Sequence, residues 1–264
     1  MIYIAIVLGL VEGLTEFLPV SSTGHLIVAG HLLGYTGPAA ATFEIFIQLG
    51  AILAVVWEYR RQLAAMVSGA AGVVPDAGRR GLARNLAVAF LPAGLAGFVL
   101  MDVIERHLFN PITVAGALVA GGVAMLAIEW SRPRPSISSV LAIPLRCAFW
   151  VGMAQVLSLF PGVSRAAATI MGGMVVGLDR RTSTEFSFYL AIPTMLMAAA
   201  SNLWYSRGLL SSSDLGFFAA GFVVAFVSAL LAVRSFLRFV SRYDLKPFAW
   251  YRIALGVVLL LYLM

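Results

Sequence analysis

Two glutamates lie four residues apart inside an apolar segment near the start of the chain. Glu12 and Glu16 have the spacing at which helical side chains share one face, so their carboxylates can converge on one point. Two adjacent negative charges favour a shared divalent cation, and hard ions such as Mg²⁺ or Ca²⁺ prefer oxygen ligands. The pair therefore predicts a metal site. A neutral, protonated pair that donates hydrogen bonds is the structural alternative.

A run of hydroxyl side chains follows these glutamates. Pro19 stops the first helix, and a serine or threonine caps the next one, whose free N–H groups and dipole form an anion site. The structural alternative is that Ser21 and Ser22 are both only caps. Of the two, Ser21 is the better candidate for a cap and Ser22 the better candidate for a reactive group. His25 follows three residues later, close enough to take a proton from Ser22 or to attack phosphorus itself.

A second interrupted segment carries an arginine. Pro161 breaks the apolar run and Arg165 follows four residues later. The planar guanidinium suits phosphate because it donates two parallel hydrogen bonds. An ion pair with Glu12 or Glu16 is the structural alternative. Hydroxyl side chains beside these groups are the further candidates for substrate contact: Ser21, Thr23, Ser164 and Thr169.

Taken together, these groups fit phosphoryl transfer better than ion coupling. They comprise carboxylates for a metal, a hydroxyl, an imidazole, an arginine and helix N-termini. Broken helices also occur in secondary transporters, so a carrier or flippase for a phosphorylated lipid is the rival hypothesis. A purely structural membrane subunit ranks last, because it leaves the buried charges unexplained.

The composition places these residues in a membrane. Of the 264 residues, 61% are hydrophobic and only 11% charged, far from the quarter charged that is usual in soluble domains. Six apolar stretches are long enough to cross a bilayer as helices: 42–59, 86–104, 112–130, 184–204, 215–237 and 249–264. Two further segments, 2–34 and 145–178, are interrupted near their middles. The sequence predicts an all-α polytopic membrane protein.

Charge and cysteine content exclude other classes. The formal charge of +6 does not indicate nucleic-acid binding, because the basic residues lie mostly between apolar spans, where membrane orientation explains them. Cys147 is the only cysteine, which excludes an intramolecular disulfide and a thiolate metal cluster.

The chain resembles itself at a shift of 143 positions. This shift aligns several residues of the first interrupted segment with the second: Gly9 with Gly152, Glu12 with Gln155, Phe17 with Phe160, Val20 with Val163 and Ser21 with Ser164. Chance similarity between apolar segments is the alternative. A repeat is favoured because both copies share a Phe and Pro break followed by Val-Ser. The predicted repeats are 1–131 and 132–264, each a hairpin plus three spans, with the second copy inverted.

The basic residues give an independent orientation. Fifteen of the eighteen Lys and Arg fall on one side if four segments are cytoplasmic: 60–84, 131–147, 179–183 and 234–252. Only Arg106 and Arg207 fall opposite. Both interrupted segments are then re-entrant, both termini lie outside, and the two tips, near Pro19–Gly24 and Pro161–Arg165, meet at mid-membrane. Non-helical backbone at that depth implies a polar chamber.

These residues resemble the bacterial undecaprenyl-pyrophosphate phosphatase family of the bacitracin-resistance type. The segment Glu12 to His25, which reads EGLTEFLPVSSTGH, is similar to the family's first signature, and Pro161 to Arg165, PGVSR, to the start of its second. The likeness covers nearly the whole chain. One departure follows Arg165, where the family usually has Ser-Gly-Ala-Thr and this chain has Ala-Ala-Ala-Thr.

The resemblance implies removal of one phosphate from undecaprenyl pyrophosphate at the outer face of the bacterial cytoplasmic (inner) membrane. The product is the monophosphate carrier used in peptidoglycan synthesis. The positions that match the family's catalytic residues are Glu12, Glu16, Ser22, His25 and Arg165. The oligomeric state does not follow from the sequence, and a homodimer is one arrangement that it permits.

Overall fold

Helices account for most of the structure. The computed structural model describes residues 2–70, 77–131, 134–206 and 215–263. Within these ranges the chain forms eleven α-helices: α1 Ile2–Thr15, α2 Ser22–Leu32, α3 Pro38–Glu58, α4 Arg60–Ala70, α5 Ala77–Leu108, α6 Pro111–Ser131, α7 Leu145–Val156, α8 Arg165–Val175, α9 Arg180–Ser206, α10 Leu215–Val240 and α11 Lys246–Leu263. The predicted all-α class is confirmed.

The two interrupted segments fold into pairs of short helices. α1 packs against α2, and α7 packs against α8. The longest arm, α1, has 14 residues. At a rise of 1.5 Å per residue its length is about 21 Å, less than the ~30 Å hydrocarbon core of a bilayer. These lengths are those expected of re-entrant hairpins.

Five of the described helices are long and apolar enough to cross a membrane, namely α3, α5, α6, α10 and α11. They cover five of the six predicted spans, and the chain is a multi-pass membrane protein. The sixth, 184–204, lies in α9, whose first turns carry the buried polar residues Thr182, Thr184 and Ser187. Since α9 packs against α3 and α8, protein surrounds these side chains.

Apolar side chains lie outside as well as inside. Phe98 on α5 is 92% exposed, whereas Phe186 and Phe188 on α9 are fully buried. Large apolar side chains are exposed on every one of the five long apolar helices, as expected of surfaces that face a bilayer. One connection differs from expectation: residues 60–84, expected to link two spans, contain α4 and the start of α5.

The two halves of the chain share unusual backbone features. Ser21 and Ser164 have positive φ angles, 72° and 71°, and each caps the helix that follows it. Gly9 packs on α10 and Gly152 on α5, so closely that a Cβ at either position would overlap a backbone carbonyl. Each hairpin thus packs on a span of the opposite half. This reciprocal packing of each hairpin on the other half supports the predicted inverted repeat, which stays a prediction.

Candidate active site

Glu16 occupies the centre of the candidate site, directly after α1. Its N–H donates to the Glu12 carbonyl at 2.9 Å, so the helical spacing of the two glutamates is retained. Its Oε2 accepts a short hydrogen bond from the Ser22 hydroxyl, and its Oε1 lies 3.3 Å from a guanidinium nitrogen of Arg165. One carboxylate therefore links a hydroxyl of the first hairpin to the arginine of the second.

Glu12 lies one turn deeper in α1 and is only 1% exposed. Its Oε1 has no hydrogen-bond partner among the described residues. The charged groups that act on this carboxylate are Glu16, Glu44 and Arg165. A buried carboxylate oxygen without a donor is unfavourable by a few kcal/mol or more, on the order seen for unsatisfied buried groups. A proton or a cation at this oxygen would remove the penalty.

The two carboxylates fit a divalent cation that keeps water or phosphate ligands. Across residues 2–70, 77–131, 134–206 and 215–263, no three or more His, Cys, Asp or Glu side chains form a cluster able to hold a metal. An all-protein cage is therefore not available there. Mg²⁺ usually takes one or two carboxylates and completes its shell with water and substrate phosphates. The unpartnered oxygen of Glu12 fits that requirement.

The turn between α1 and α2 determines where Ser22 lies. Ser21 is the N-cap of α2, and its Oγ accepts a hydrogen bond from Gly24 N at 3.4 Å, which confirms the interpretation of Ser21 as a cap. Positive φ at a residue other than glycine costs about 1–3 kcal/mol and tends to occur at functional sites. Ser22 is then the first residue of α2, beside the free N–H groups of the helix N-terminus.

His25 contacts other groups than expected. Its Nδ1 lies 2.7 Å from the Ser21 carbonyl, and its Nε2 lies 2.6 Å from the hydroxyl of Tyr251, whose ring stacks on the imidazole. A carbonyl only accepts, so Nδ1 carries a proton and a neutral ring accepts from Tyr251 at Nε2. The Ser22 hydroxyl donates to Glu16, not to His25.

Arg165 is the first residue of α8, and its side chain is 9% exposed. One terminal nitrogen pairs with Glu16, the other donates to the Ser187 carbonyl at 3.1 Å, and the guanidinium lies over the Phe17 ring at 5.6 Å. The predicted ion pair with a glutamate is therefore present. The Nε atom has no partner among the described residues, so Arg165 retains a donor.

The remaining predicted contacts have structural partners. Ser164 caps α8 by accepting from Ala167 N at 3.2 Å, and buried Thr169 lies 2.6 Å from the Ser187 hydroxyl. Thr23 is half-buried in the first turn of α2. Ala166, where the family usually has serine, is fully buried in the main hydrophobic cluster.

Arg252 does not lie where the charge pattern predicts. The sequence places it in the cytoplasmic segment 234–252, whereas in the structure its side chain is fully buried inside the protein. Its guanidinium donates to carbonyls of both hairpin tips, Pro19 at 3.2 Å and Gly162 at 3.1 Å, and to α6 at Ala117 and Leu118. An arginine inside an apolar span was the signal that could have identified it. Arg252 therefore links the two hairpin tips through hydrogen bonds.

Fold and site define a polytopic α-helical membrane enzyme whose buried polar groups suit phosphoryl transfer. The chain belongs to the family described as bacitracin resistance protein BacA, which matches residues 5–258.

Similar proteins cover nearly the whole chain. A protein from Cupriavidus metallidurans named undecaprenyl-diphosphatase is 50% identical over 97% of this chain and 94% of the relative. Proteins of the same name from Methylococcus capsulatus and Ectopseudomonas mendocina are 49% and 50% identical, over 97% and 98% of this chain and 93% of each relative. The predicted family is confirmed.

Proposed function

We propose that this chain hydrolyses undecaprenyl pyrophosphate to undecaprenyl phosphate and inorganic phosphate. The name of the similar proteins and the family membership support this activity. Family and activity together support a role in recycling the lipid carrier for peptidoglycan synthesis and in bacitracin resistance.

The link from Ser22 through Glu16 to Arg165 is the observation that carries the proposal. A hydroxyl that donates to a carboxylate is poised to lose its proton to that carboxylate. The arginine paired with the same carboxylate would bind the phosphate that the hydroxyl attacks, through the donor that it retains at Nε. Nucleophile, base and anion donor therefore occupy one small volume at the meeting point of the two hairpins.

In the proposed reaction the Ser22 oxygen attacks the terminal phosphorus and passes its proton to Glu16. The Oγ–P bond forms while the bond from phosphorus to the bridging oxygen breaks, and undecaprenyl phosphate leaves. Arg165 and the N–H groups of α2 stabilise the charge on the transferring group. Water then attacks the phosphoserine, and as its oxygen bonds to phosphorus the Oγ–P bond breaks. Glu16 returns its proton to the Ser22 oxygen, and inorganic phosphate leaves.

His25 is the second candidate nucleophile. Its Nε2 carries no proton in the neutral tautomer set by the Ser21 carbonyl, so this nitrogen has a lone pair for phosphorus or for a proton. The hydroxyl of Tyr251 occupies that position. Attack by His25 therefore requires Tyr251 to move, whereas Ser22 already contacts its base.

A divalent cation, Mg²⁺ or Ca²⁺, completes the proposed site. Glu12 and Glu16 are the residues that would hold it, and when bound it would neutralise part of the pyrophosphate charge. Glu12 needs such a partner most, because its carboxylate is buried beside Glu16 and lacks a donor at Oε1 among the described side chains. Glu44, which acts on Glu12 electrostatically, adds to the negative charge.

An apolar cavity beside α2 supports a lipid substrate. It has a volume of about 530 Å³ and is lined along α2 by Gly24, Leu26 and Ile27 and on α11 by Val258 and Leu259. Gly24 follows Ser22 by two residues, so the cavity reaches the same end of α2 as the reactive groups. We assign this cavity to the isoprenoid chain of the substrate. Binding there would bury the apolar surface of the isoprenoid and keep it out of the polar chamber.

Orientation in the membrane follows from the charge pattern. We propose a protein of the bacterial cytoplasmic membrane with its chamber open to the periplasmic or outer side, because the basic segments collect at the opposite face. On that side the enzyme meets pyrophosphate lipids released during wall assembly.

Phosphate release from undecaprenyl pyrophosphate by the protein purified in detergent tests the proposed activity. The expected result is turnover by the wild type and loss in Ser22→Ala, with Ser158→Ala as a control. Ser158 lies in the second hairpin and bonds only to Gln155 O among the described residues. Transport of the lipid without phosphate release would instead identify a carrier.

A further inference from the structure

Besides the apolar cavity at α2, the structure has a polar cavity at the end of α8 opposite Arg165. It has a volume of about 500 Å³ and includes Met174 in its wall. Met174 follows Arg165 by nine residues, so the two positions are roughly 14 Å apart along the helix at 1.5 Å per residue. This cavity is separate from the reactive site and contains none of its residues.

Basic side chains dominate this cavity. Four line it, Arg134, Arg180, Arg242 and Lys246, against two acidic ones, Glu129 and Asp244. The cavity lining therefore carries two more positive than negative charges. These residues come from the ends of α6 and α10, the starts of α9 and α11 and the connections beside them.

Both acidic residues already have partners. Buried Glu129 accepts two hydrogen bonds from Arg180, at 2.9 and 2.5 Å, and one from Leu245 N at 2.9 Å. Asp244 pairs with Lys246 at 2.9 Å, and this hydrogen bond holds the pKa of Asp244 below its ordinary value. These contacts hold both carboxylates in the cavity wall, so neither acidic side chain is free to neutralise a further arginine.

Arg134 and Arg242 remain available. In the part of the chain that the structure describes, neither has an ion-pair partner, and both are exposed. Arg180 uses Nε and one terminal nitrogen for Glu129, which leaves its other terminal nitrogen. Guanidinium groups from three different segments therefore surround one concave volume, a donor arrangement that matches the oxygens of a phosphate.

We propose that this cavity binds the phosphate group of an anionic membrane phospholipid. Basic pockets between transmembrane helices, at the face where arginines collect, bind lipid head groups in this way. The cavity lies at the helix ends, where the head-group layer of a bilayer is expected. The two arginines without partners contact the phosphate, while the Glu129–Arg180 pair holds the wall.

Lipid binding to the purified full-length protein, measured by native mass spectrometry, tests the proposal. Phosphatidylglycerol, phosphatidylcholine and inorganic phosphate are compared on the wild type and on Arg134→Gln/Arg242→Gln. The control is Arg61→Gln/Arg146→Gln, which removes the same charge from exposed positions outside the cavity. Phosphatase activity of each variant reports its folding and is expected to be unchanged.

The expected result is a preference of the wild type for phosphatidylglycerol over phosphatidylcholine of about 10-fold or more, since each arginine near the head-group layer contributes about 1 kcal/mol to binding of an anionic lipid. The cavity variant loses this preference and the control keeps it. Tight binding of inorganic phosphate that the cavity variant loses would assign the same site to a soluble phosphate. Equal loss in both variants, or equal binding of both lipids, would overturn the proposal and leave only general surface charge.

Discussion

Ser22 and Glu16 lie on opposite sides of the turn between α1 and α2, and the Ser22 hydroxyl donates a short hydrogen bond to the Glu16 carboxylate. The turn exists because Pro19 ends the first arm and Ser21, with its positive φ, starts the second. The hydroxyl, its base and the arginine that pairs with the same carboxylate are thereby brought into one group.

Replacing Glu16 removes the proposed base. Glu16→Gln keeps the shape but cannot take the Ser22 proton, so kcat for phosphate release should fall by about 10²- to 10⁴-fold, the contribution typical of general bases. The hydrogen bond to Ser22 can survive, and folding should be retained. A kcat within a few-fold of wild type would show that another group accepts the proton.

Metal dependence follows from the carboxylate pair. Chelation should abolish turnover, and added Mg²⁺ or Ca²⁺ should restore it. Glu12→Gln should reduce activity by orders of magnitude and raise the metal concentration needed, because Glu12 supplies the oxygen left without a donor among the described residues. Full activity in chelator would exclude the metal role.

The identity of the nucleophile can be read from the intermediate. When turnover of lipid labelled in its terminal phosphate is quenched, label on the protein should survive acid, as phosphoserine does, and disappear in Ser22→Ala. Acid-labile, alkali-stable label that persists in Ser22→Ala and is lost in His25→Ala would identify His25 instead.

Arg165→Lys keeps the charge and loses the planar fork. One ammonium cannot hold Glu16, Ser187 O and a phosphate as the guanidinium can. We expect kcat/KM to fall by about 100-fold, comparable with loss of one transition-state donor. Near-normal kcat/KM would reduce Arg165 to an ion-pair partner of Glu16.

Arg252 should matter for stability as well as activity. Arg252→Met leaves the carbonyls of Pro19 and Gly162 without this donor inside the protein. We expect a loss of stability on the order of 2–4 kcal/mol, measured by thermal unfolding in detergent. Exposed Arg238 on α10 is the matched control, and Arg238→Met should change little. An equal effect of the two substitutions would contradict the linking role.

Topology can be tested with single cysteines. In a Cys147→Ala background, a cysteine at Ser68 should react with impermeant thiol reagents from the cytoplasm, and one at Phe109 only from outside. Labelling of both from the same side would contradict the inverted arrangement. A cysteine at Ser211 serves the same purpose from sequence alone, since that position lies outside the described residues.

Local patterns in the sequence determined much of this protein. Local structure can be predicted from the spacing of Glu12 and Glu16, the Pro19 break and the apolar runs. Helix period, capping and hydropathy depend on residues that are near neighbours in the chain. The all-α class, five spans, two hairpins and the cap at Ser21 all follow from such patterns. So does the set of residues that could perform phosphoryl chemistry.

Only the tertiary structure decided which of these groups meet. Glu16 and Arg165 are 149 residues apart, and His25 and Tyr251 are 226 apart. No local period fixes such pairs. Arg252 illustrates the reason. Its charge at the start of an apolar span predicts a position at the membrane surface. In the folded protein its side chain is buried, and carbonyl groups of both hairpin tips accept its hydrogen bonds. Burial and hydrogen-bond partners depend on how α6, α11 and both hairpins assemble, and that arrangement belongs to the fold as a whole.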